Sequence, residues 1–299
     1  MSKINPKYWR KRQKAYFKNL EKNEEKLLKK MIKEYEKEAA KLDKEIASYY
    51  AKYGTDNVIE YRDLLVELDP KERKILLQDM EQFFDVHPEF EHLKPIRESI
   101  YKLDRLDSLR YSITKQQIEL GVKEEEVILK HLSKSYTSTY NAMLKDMGFG
   151  DNFLSVNDAL VKDLVNRAWL NNKNFSDRIW GNKEKLIDYL TTDFKNGIIR
   201  GDDYNKLSKM LEERFLKQSK NNIKRLVYTE GTFIQNQAMA KPFEDMGYDT
   251  YIYDAILDER TSEVCEGLNG QEFLFKDKEP GVNFPPMHPW CRSSFIVKL

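Results

Sequence analysis

The chain has 299 residues, which is enough for two domains of ordinary size. Charged residues make up 34% of it and hydrophobic residues 40%, a balance typical of long amphipathic helices that expose much of their circumference. Because 51 Lys and Arg are offset by 50 Asp and Glu, net charge gives no argument for nucleic-acid binding, which must rest on local clusters.

The sequence predicts neither a membrane span nor a secretory signal. No stretch approaches 18 uninterrupted apolar residues, and no apolar segment follows the basic N-terminus. With two cysteines, Cys265 and Cys291, the chain does not need a disulfide framework. We therefore expect a protein made in the cytoplasm with no membrane partner.

The first twenty residues form a basic cluster that contains no acidic residue. Aromatic residues are interleaved with the basic ones, so the cluster is suited to bind DNA phosphates or to pack against a protein partner. A solvated helix face is the third interpretation. The residues predicted to contact DNA or a partner are Lys7, Trp9, Arg10, Lys11, Arg12 and Lys14.

Apolar residues then recur at steps of mostly three and four, which predicts one long helix from Pro6 to about Tyr50. The predicted apolar stripe consists of Leu20, Leu27, Met31, Tyr35, Ala39, Leu42, Ile46 and Tyr49.

Helical periodicity continues to about residue 147. Asp69 followed by Pro70 is a helix start signal, because Asp caps and Pro is tolerated in the first turn. Two further helices are predicted over Leu93–Glu119 and Lys123–Met147. A Gly-Phe-Gly break ends at Gly150, where we place a boundary between domains 1–150 and 151–299.

Three more helices are predicted between residues 156 and 246. The first has Ser176 as its N-cap and is ended by Gly197 and Gly201. The other two cover Tyr204–Leu216 and Asn222–Met246, before Gly247.

The last fifty residues change in character. Three short segments are rich in β-branched and aromatic residues, and a Pro-rich loop runs from Pro280 to Pro289. The predicted fold class is therefore α-rich α+β: long N-terminal helices, a helical bundle to about residue 246, and a small antiparallel sheet over 248–299 with a zinc-knuckle-like loop. The predicted strands lie at Thr250–Tyr253, Glu272–Phe275 and Ser294–Val297.

Several segments, in this order, resemble those of phage minor head proteins and of the phage Mu F-like head morphogenesis family. The Arg225–Glu230 segment resembles the family's Arg-x-x-x-Thr-Glu helix. The most specific likeness is the C-terminal arrangement that ends in Met287-His288-Pro289-Trp290-Cys291-Arg292. The segments that carry the resemblance are Ala168–Trp169, Asn174–Trp180, Gly197–Asp202, Arg225–Glu230, Asp258–Ser262, Cys265, Leu268–Gly270 and Pro285–Arg292.

The resemblance implies a minor capsid protein inside the virion head. It implies association with the portal protein and other head components in the procapsid, and an influence on the packaging of double-stranded DNA. Many relatives carry a second cysteine near Ser262 and another after Arg292, where this chain has Ser293. This departure weakens any inference of a metal site from the family alone.

Cys265, His288 and Cys291 form the sharpest chemical constellation. His-x-x-Cys places two ligands on one turn and a distant Cys adds a third, as in zinc knuckles. Asp258 or a water would then be the fourth ligand. Two other interpretations remain open: inert packing of the two thiols, and a disulfide between them.

Arg225, Thr229 and Glu230 lie on one predicted helix and form, with Arg260, a structural polar cluster. One interpretation groups them with Asp258 in a functional polar site. The other treats them as ion pairs that dock the helix on the C-terminal sheet, and this is the one we favour.

Nucleotide-binding, zinc-protease and serine-hydrolase motifs are absent from the sequence, so no catalytic residue is predicted. The alternative function is a metal-dependent hydrolase or nuclease that uses Asp258, Cys265, His288 and Cys291, or a toxin-like effector on the same C-terminal domain. Some relatives carry a toxin or transferase domain after the Cys-Arg segment. We expect no such domain in the short stretch between Cys291 and Leu299.

Overall fold

The computed structural model describes residues 6–94, 103–149 and 157–298. Within these ranges the chain is α-rich with a small C-terminal antiparallel sheet, so the predicted fold class is confirmed. The α-helices are α1 (Pro6–Tyr53), α2 (Tyr61–Leu64), α3 (Pro70–Val86), α4 (Arg105–Asp146), α5 (Asp158–Val165), α6 (Phe175–Ile199), α7 (Tyr204–Asp245) and α8 (Glu263–Leu268). The strands are β1 (Thr250–Asp254), β2 (Glu272–Leu274) and β3 (Ser294–Val297). Among the described residues, no helix is both long and apolar enough to span a bilayer.

Helix α1 confirms the predicted long N-terminal helix but corrects its apolar stripe. Leu28 is buried where Leu27 was predicted, and Glu24, 2% exposed, occupies the stripe between Leu20 and Leu28. The buried positions from Leu20 to Met31 are therefore spaced by four, four and three residues, which places them on one face of the helix. One of the residues on this buried face, Glu24, is acidic. A pattern search for apolar residues alone passes over such a position.

Helix α3 begins where predicted. The Asp69 carboxylate accepts hydrogen bonds from the backbone N–H of Lys71 and Glu72, both at 2.8 Å, and Glu72 accepts from Asp69 N. This reciprocal capping box satisfies donors that the first turn leaves open.

Helix α4 corrects the prediction of two helices separated near Gly121. The helix is continuous from Arg105 to Asp146, and Gly121 lies inside it. A Cβ atom at Gly121 would lie 2.5 Å from the Trp180 ring. The glycine therefore gives the indole room to pack and does not end the helix.

Two further corrections concern α6 and α7. Helix α6 is capped by Asn174 and not by Ser176, since Asn174 Oδ1 accepts from Asp177 N and Asn174 N donates to Asp177 Oδ2, both at 2.9 Å. Helix α7 is one helix, where two were predicted. It ends as expected before Gly247, whose φ of 77° is left-handed.

The three predicted strands form one antiparallel sheet in the order β2-β1-β3. Tyr251 pairs with Phe273 on one side and Val297 on the other. This sheet packs into an aromatic core that includes Trp9 from α1 and Phe243 from α7. A smaller buried cluster lies beside it and contains Tyr253, Cys265, Met287 and Cys291.

The chain packs as two compact units, each built from segments distant in sequence. The first comprises Met1–Met31, Glu125–Ile179 and Asn222–Leu299, and the second comprises Ile32–Glu124 and Trp180–Asn221. The first unit contains the sheet and every predicted site residue. The predicted boundary at Gly150 lies outside the described residues, and the division into 1–150 and 151–299 stays a prediction.

Candidate metal centre and its supporting helix

Cys265, His288 and Cys291 come together in the first unit, and their ligand atoms lie within 4.8 Å of one another. Cys265 Sγ is 3.6 Å from Cys291 Sγ and 3.3 Å from His288 Nε2. Both cysteines are free thiols and are buried, at 3% exposure each. The sequence therefore predicted this cluster correctly, although the residues are separated by up to 26 positions.

Two short elements position these side chains. Cys265 lies on α8, whose N-cap Ser262 accepts a hydrogen bond from Cys265 N at 3.2 Å. His288 and Cys291 lie on the Pro-rich loop, where His288 O accepts from Cys291 N at 3.2 Å. His288 Nδ1 lies 2.8 Å from Pro289 O, so its other nitrogen, Nε2, is directed to Cys265. A carbonyl partner on the distal nitrogen is the usual way to orient a metal-binding histidine.

The electrostatics of the pair favour one thiolate. A hydrogen bond from the Cys291 thiol is the main cause that lowers the pKa of Cys265, and hydroxyls of Ser262, Ser293 and Tyr253 lower it further. The same hydrogen bond, together with burial, raises the pKa of Cys291. Because the thiolate is the form that binds metal, Cys265 is prepared for ligation.

The distances fit a zinc ion. With Zn–S near 2.3 Å and Zn–N near 2.0 Å, a tetrahedral site separates two sulfurs by about 3.8 Å and a sulfur from a nitrogen by about 3.5 Å. The observed separations are shorter by only about 0.2 Å. Soft thiolates with an imidazole are a donor set that suits zinc. The cluster can therefore hold a metal ion.

Asp258, predicted as a candidate fourth ligand, does not join the cluster. Its two carboxylate oxygens accept from the Arg292 guanidinium at 2.7 and 2.5 Å, and from Arg260 N at 2.9 Å. Arg292 is the main cause that lowers the pKa of Asp258. A carboxylate held on both oxygens by a guanidinium has its charge already matched, which is why it does not turn to the thiols.

Helix α7 supports the loop that carries His288 and Cys291. Thr229 Oγ1 accepts from Trp290 N at 3.3 Å, within the loop between His288 and Cys291. Two turns on, Asn236 Nδ2 donates to Ser293 O at 3.2 Å and Asn236 Oδ1 accepts from Ser294 Oγ at 3.0 Å. The helix therefore docks on the loop and on β3, through neutral hydrogen bonds instead of the predicted ion pairs.

Glu230 has different partners from those expected. Its side chain is 1% exposed, Trp169 Nε1 donates to its Oε2 at 3.0 Å, and Arg178 Nε lies 3.0 Å from its Oε1. Burial raises the pKa of Glu230 to about 7, against the opposing effects of Arg178 and Trp169. Glu230 thus fastens the segment before α6 to the middle of α7.

The remaining members of the predicted polar cluster lie apart from Glu230. Arg225 is exposed and makes no ion pair with any described residue. Arg260 is also exposed, with its guanidinium 4.0 Å from Asp258. The structure therefore does not bring Arg225, Glu230 and Arg260 into one site.

The basic N-terminal cluster divides by helix face. Trp9 is 4% exposed and packs edge-on against Phe243, so it offers no surface to DNA or to a partner. Arg10 pairs with Asp254 at 2.9 Å and Arg12 with Asp146 at 3.3 Å. Lys7, Lys11 and Lys14 are exposed.

Sequence reasoning missed three contributors to these sites. Ser262 lies 2.8 Å from His288 Nε2, and Tyr253 OH donates to Cys265 Sγ at 3.3 Å. Trp169 and Ser262 were noted only as parts of a resemblance, without a role in either site. For Ser262 a signal existed, because Ser followed by Glu263-Val264-Cys265 is a helix start.

Comparison with known protein families gives one match. Residues 188–296 match the model described as Phage Mu protein F like protein. The match covers well under half of the chain and confirms the resemblance predicted from the sequence. The matched residues contain α7, most of the sheet and the loop that carries His288 and Cys291. No curated protein and no solved structure matches the chain.

Proposed function

We propose that this chain is a minor head protein of a tailed phage that joins the procapsid interior through the portal protein. The observation that carries the proposal is the family match over residues 188–296. The architecture agrees with an assembly role, since long helices with exposed charged faces offer extended surface for partners. The portal is the partner that the resemblance to phage minor head proteins implies.

An experiment on assembled heads tests this function. Procapsids purified from infected cells should contain the chain, and it should resist added protease until the shell is opened. A protease-sensitive chain on intact shells would place it outside the head. Absence of the chain from purified procapsids would contradict the assembly role.

We also propose that the exposed lysines of α1 contact packaged DNA. Lys11, Lys14, Lys18 and Lys22 follow one another at steps of three and four, so they share a face opposite the buried Trp9 and Leu20. These four lysines form no ion pair within the part of the chain that the structure describes. Arg10 and Arg12 differ from these four lysines, because each is paired with a carboxylate.

DNA binding through this face has a measurable salt signature. Replacement of Lys11, Lys14 and Lys18 by Ala should weaken duplex binding and reduce the slope of log K against log salt by about 0.9 for each lost phosphate contact. Lys71→Ala/Lys74→Ala, on exposed positions of α3, is the control. An unchanged slope in the α1 variant would contradict the proposal.

The metal that the cluster binds is, we infer, zinc. Cys265, His288 and Cys291 would hold it, and the ion would contribute to the folding free energy of the loop that carries two of these ligands. Zinc would tie α8 to the Pro-rich loop, whose Trp290 already contacts α7. The proposed role of the zinc ion is therefore structural: it would hold this surface of the family-matched region in one conformation.

A further inference from the structure

A fourth polar atom lies beside the three ligands. Ser262 Oγ is 2.8 Å from His288 Nε2, the same nitrogen that lies 3.3 Å from Cys265 Sγ. The hydroxyl also accepts from Cys265 N at 3.2 Å. Ser262 Oγ therefore lies beside the ligand atom of His288 and caps the helix that carries Cys265.

The backbone holds this oxygen in place. Ser262 is the N-cap of α8, with extended φ of −74° and ψ of 150°, and Cys265 lies three residues later on the same helix. The hydroxyl and the thiol therefore move together as one short element. The capping bond uses one lone pair of the oxygen and leaves the other for a ligand.

Three of the six separations among these four atoms are somewhat shorter than those in a tetrahedral zinc site. In a zinc site, a nitrogen and an oxygen ligand lie about 3.3 Å apart, against 2.8 Å between His288 Nε2 and Ser262 Oγ. The two measured distances from Cys265 Sγ are contracted in the same sense. A small outward movement of each group would admit the ion. The carboxylate of Asp258 is held by Arg292 and does not compete for the fourth ligand position.

We propose that Ser262 supplies the fourth ligand oxygen and closes the metal site formed by Cys265, His288 and Cys291. The inference rests on the zinc proposal above and deepens it. A site with four protein ligands is structural, whereas a catalytic zinc keeps one position open for water or substrate. Closure by Ser262 therefore separates the assembly role from the alternative of a metal-dependent hydrolase.

Cobalt(II) substituted for zinc in the full chain tests the position of the oxygen. Ser262→Cys places a thiol at the proposed corner, so thiolate-to-cobalt charge-transfer absorption should rise by about one half as three thiolates replace two. Thr261→Cys is the matched control on the adjacent residue. Thr261 Oγ1 donates to Ile256 O at 2.7 Å and takes no part in the cluster. A rise in neither variant, or an equal rise in both, would contradict the proposal.

Azide tests whether the fourth corner is closed. The cobalt spectrum of the unaltered chain should not change when azide is added, because no exchangeable water is bound. Ser262→Ala should admit water at that corner, respond to azide, and bind zinc at least about tenfold more weakly. An azide response in the unaltered chain would overturn closure by Ser262 while leaving the three-residue metal site intact. Failure of the unaltered chain to take up either metal would instead refute the zinc proposal itself.

Discussion

Trp169 donates its indole N–H to the buried carboxylate of Glu230 at 3.0 Å, across 61 positions of sequence. The same indole stacks on Phe233, with ring planes 4° apart, and the Arg178 guanidinium lies over the ring, 5.4 Å from its centroid. Two segments that the sequence analysis singled out separately are therefore parts of one structural site. Its function is to hold the chain before α6 against the helix that supports the loop carrying His288 and Cys291.

Trp169→Phe isolates the hydrogen bond from the stacking. The phenyl ring retains the stack on Phe233, but one oxygen of Glu230 loses its donor while buried. We expect the free energy of unfolding to fall by about 1–3 kcal/mol, measured by urea denaturation. Trp290→Phe, at a half-exposed indole, should change it by less than about 0.5 kcal/mol. Equal effects of the two substitutions would mean that the bond to Glu230 contributes nothing specific.

Glu24 gives a pH-dependent prediction. Burial raises its pKa to about 8, and Oε1 finds no hydrogen-bond partner among the described residues. In the unfolded chain the pKa is about 4.3, so the folded state binds the proton more tightly. The contribution of Glu24 to stability is therefore fully present below about pH 4 and is lost as pH rises through about 8.

Glu24→Gln should consequently gain stability over the unaltered chain as the pH increases from about 5 to 8, and the gain should level off above that. Its size should be on the order of a few kcal/mol. The exposed neighbour Glu25→Gln serves as the control. Denaturation curves at a series of pH values measure the difference, and a difference independent of pH would show that Glu24 does not titrate in this way.

Gly121→Ala tests the close approach of α6 to α4. In a helix interior Ala is favoured over Gly by about 1 kcal/mol. Here the added Cβ would lie 2.5 Å from the Trp180 ring, so we expect a loss of about 1–3 kcal/mol. Gly181→Ala, where a Cβ meets nothing within 4 Å, should stabilise the chain. Stabilisation by both substitutions, measured by thermal unfolding, would contradict the packing of Trp180 on Gly121.

Metal removal tests the zinc site. Purified chain should contain about one zinc per molecule, and chelator should lower its Tm, because the ion contributes to folding free energy. Cys291→Ser should abolish both the metal content and the chelator effect. A chain without stoichiometric zinc, whose Tm is unchanged by chelator, would favour the packing interpretation, and a thiol count of zero under non-reducing conditions would favour the disulfide.

The sequence predicted most of the elements, and the His-x-x-Cys part of the chemical constellation, because these features are local. Asp69-Pro70 is a start signal wherever it stands, and His288 and Cys291 lie on one loop. The partners chosen over long separations were not predictable. Asp258 is matched by Arg292 across 34 positions, which a pattern of ligand types does not reveal.

The helix breaks were mispredicted for a related reason. Gly121 has a low helix propensity, yet it lies within α4 because the neighbouring Trp180 needs the space. Trp9 looked like a contact residue because basic residues surround it, whereas its own face of α1 is buried. In both cases tertiary packing decides the outcome, and it outweighs local propensity.

The association with the portal is tested most directly by co-purification. Tagged cognate portal protein, assembled correctly as judged by sedimentation, should retain the full-length chain through washing, and the portal of an unrelated phage should not. We expect the cognate portal protein to retain the chain specifically, at a fixed ratio of chain to portal. No retention by a correctly assembled cognate portal would contradict the proposed function.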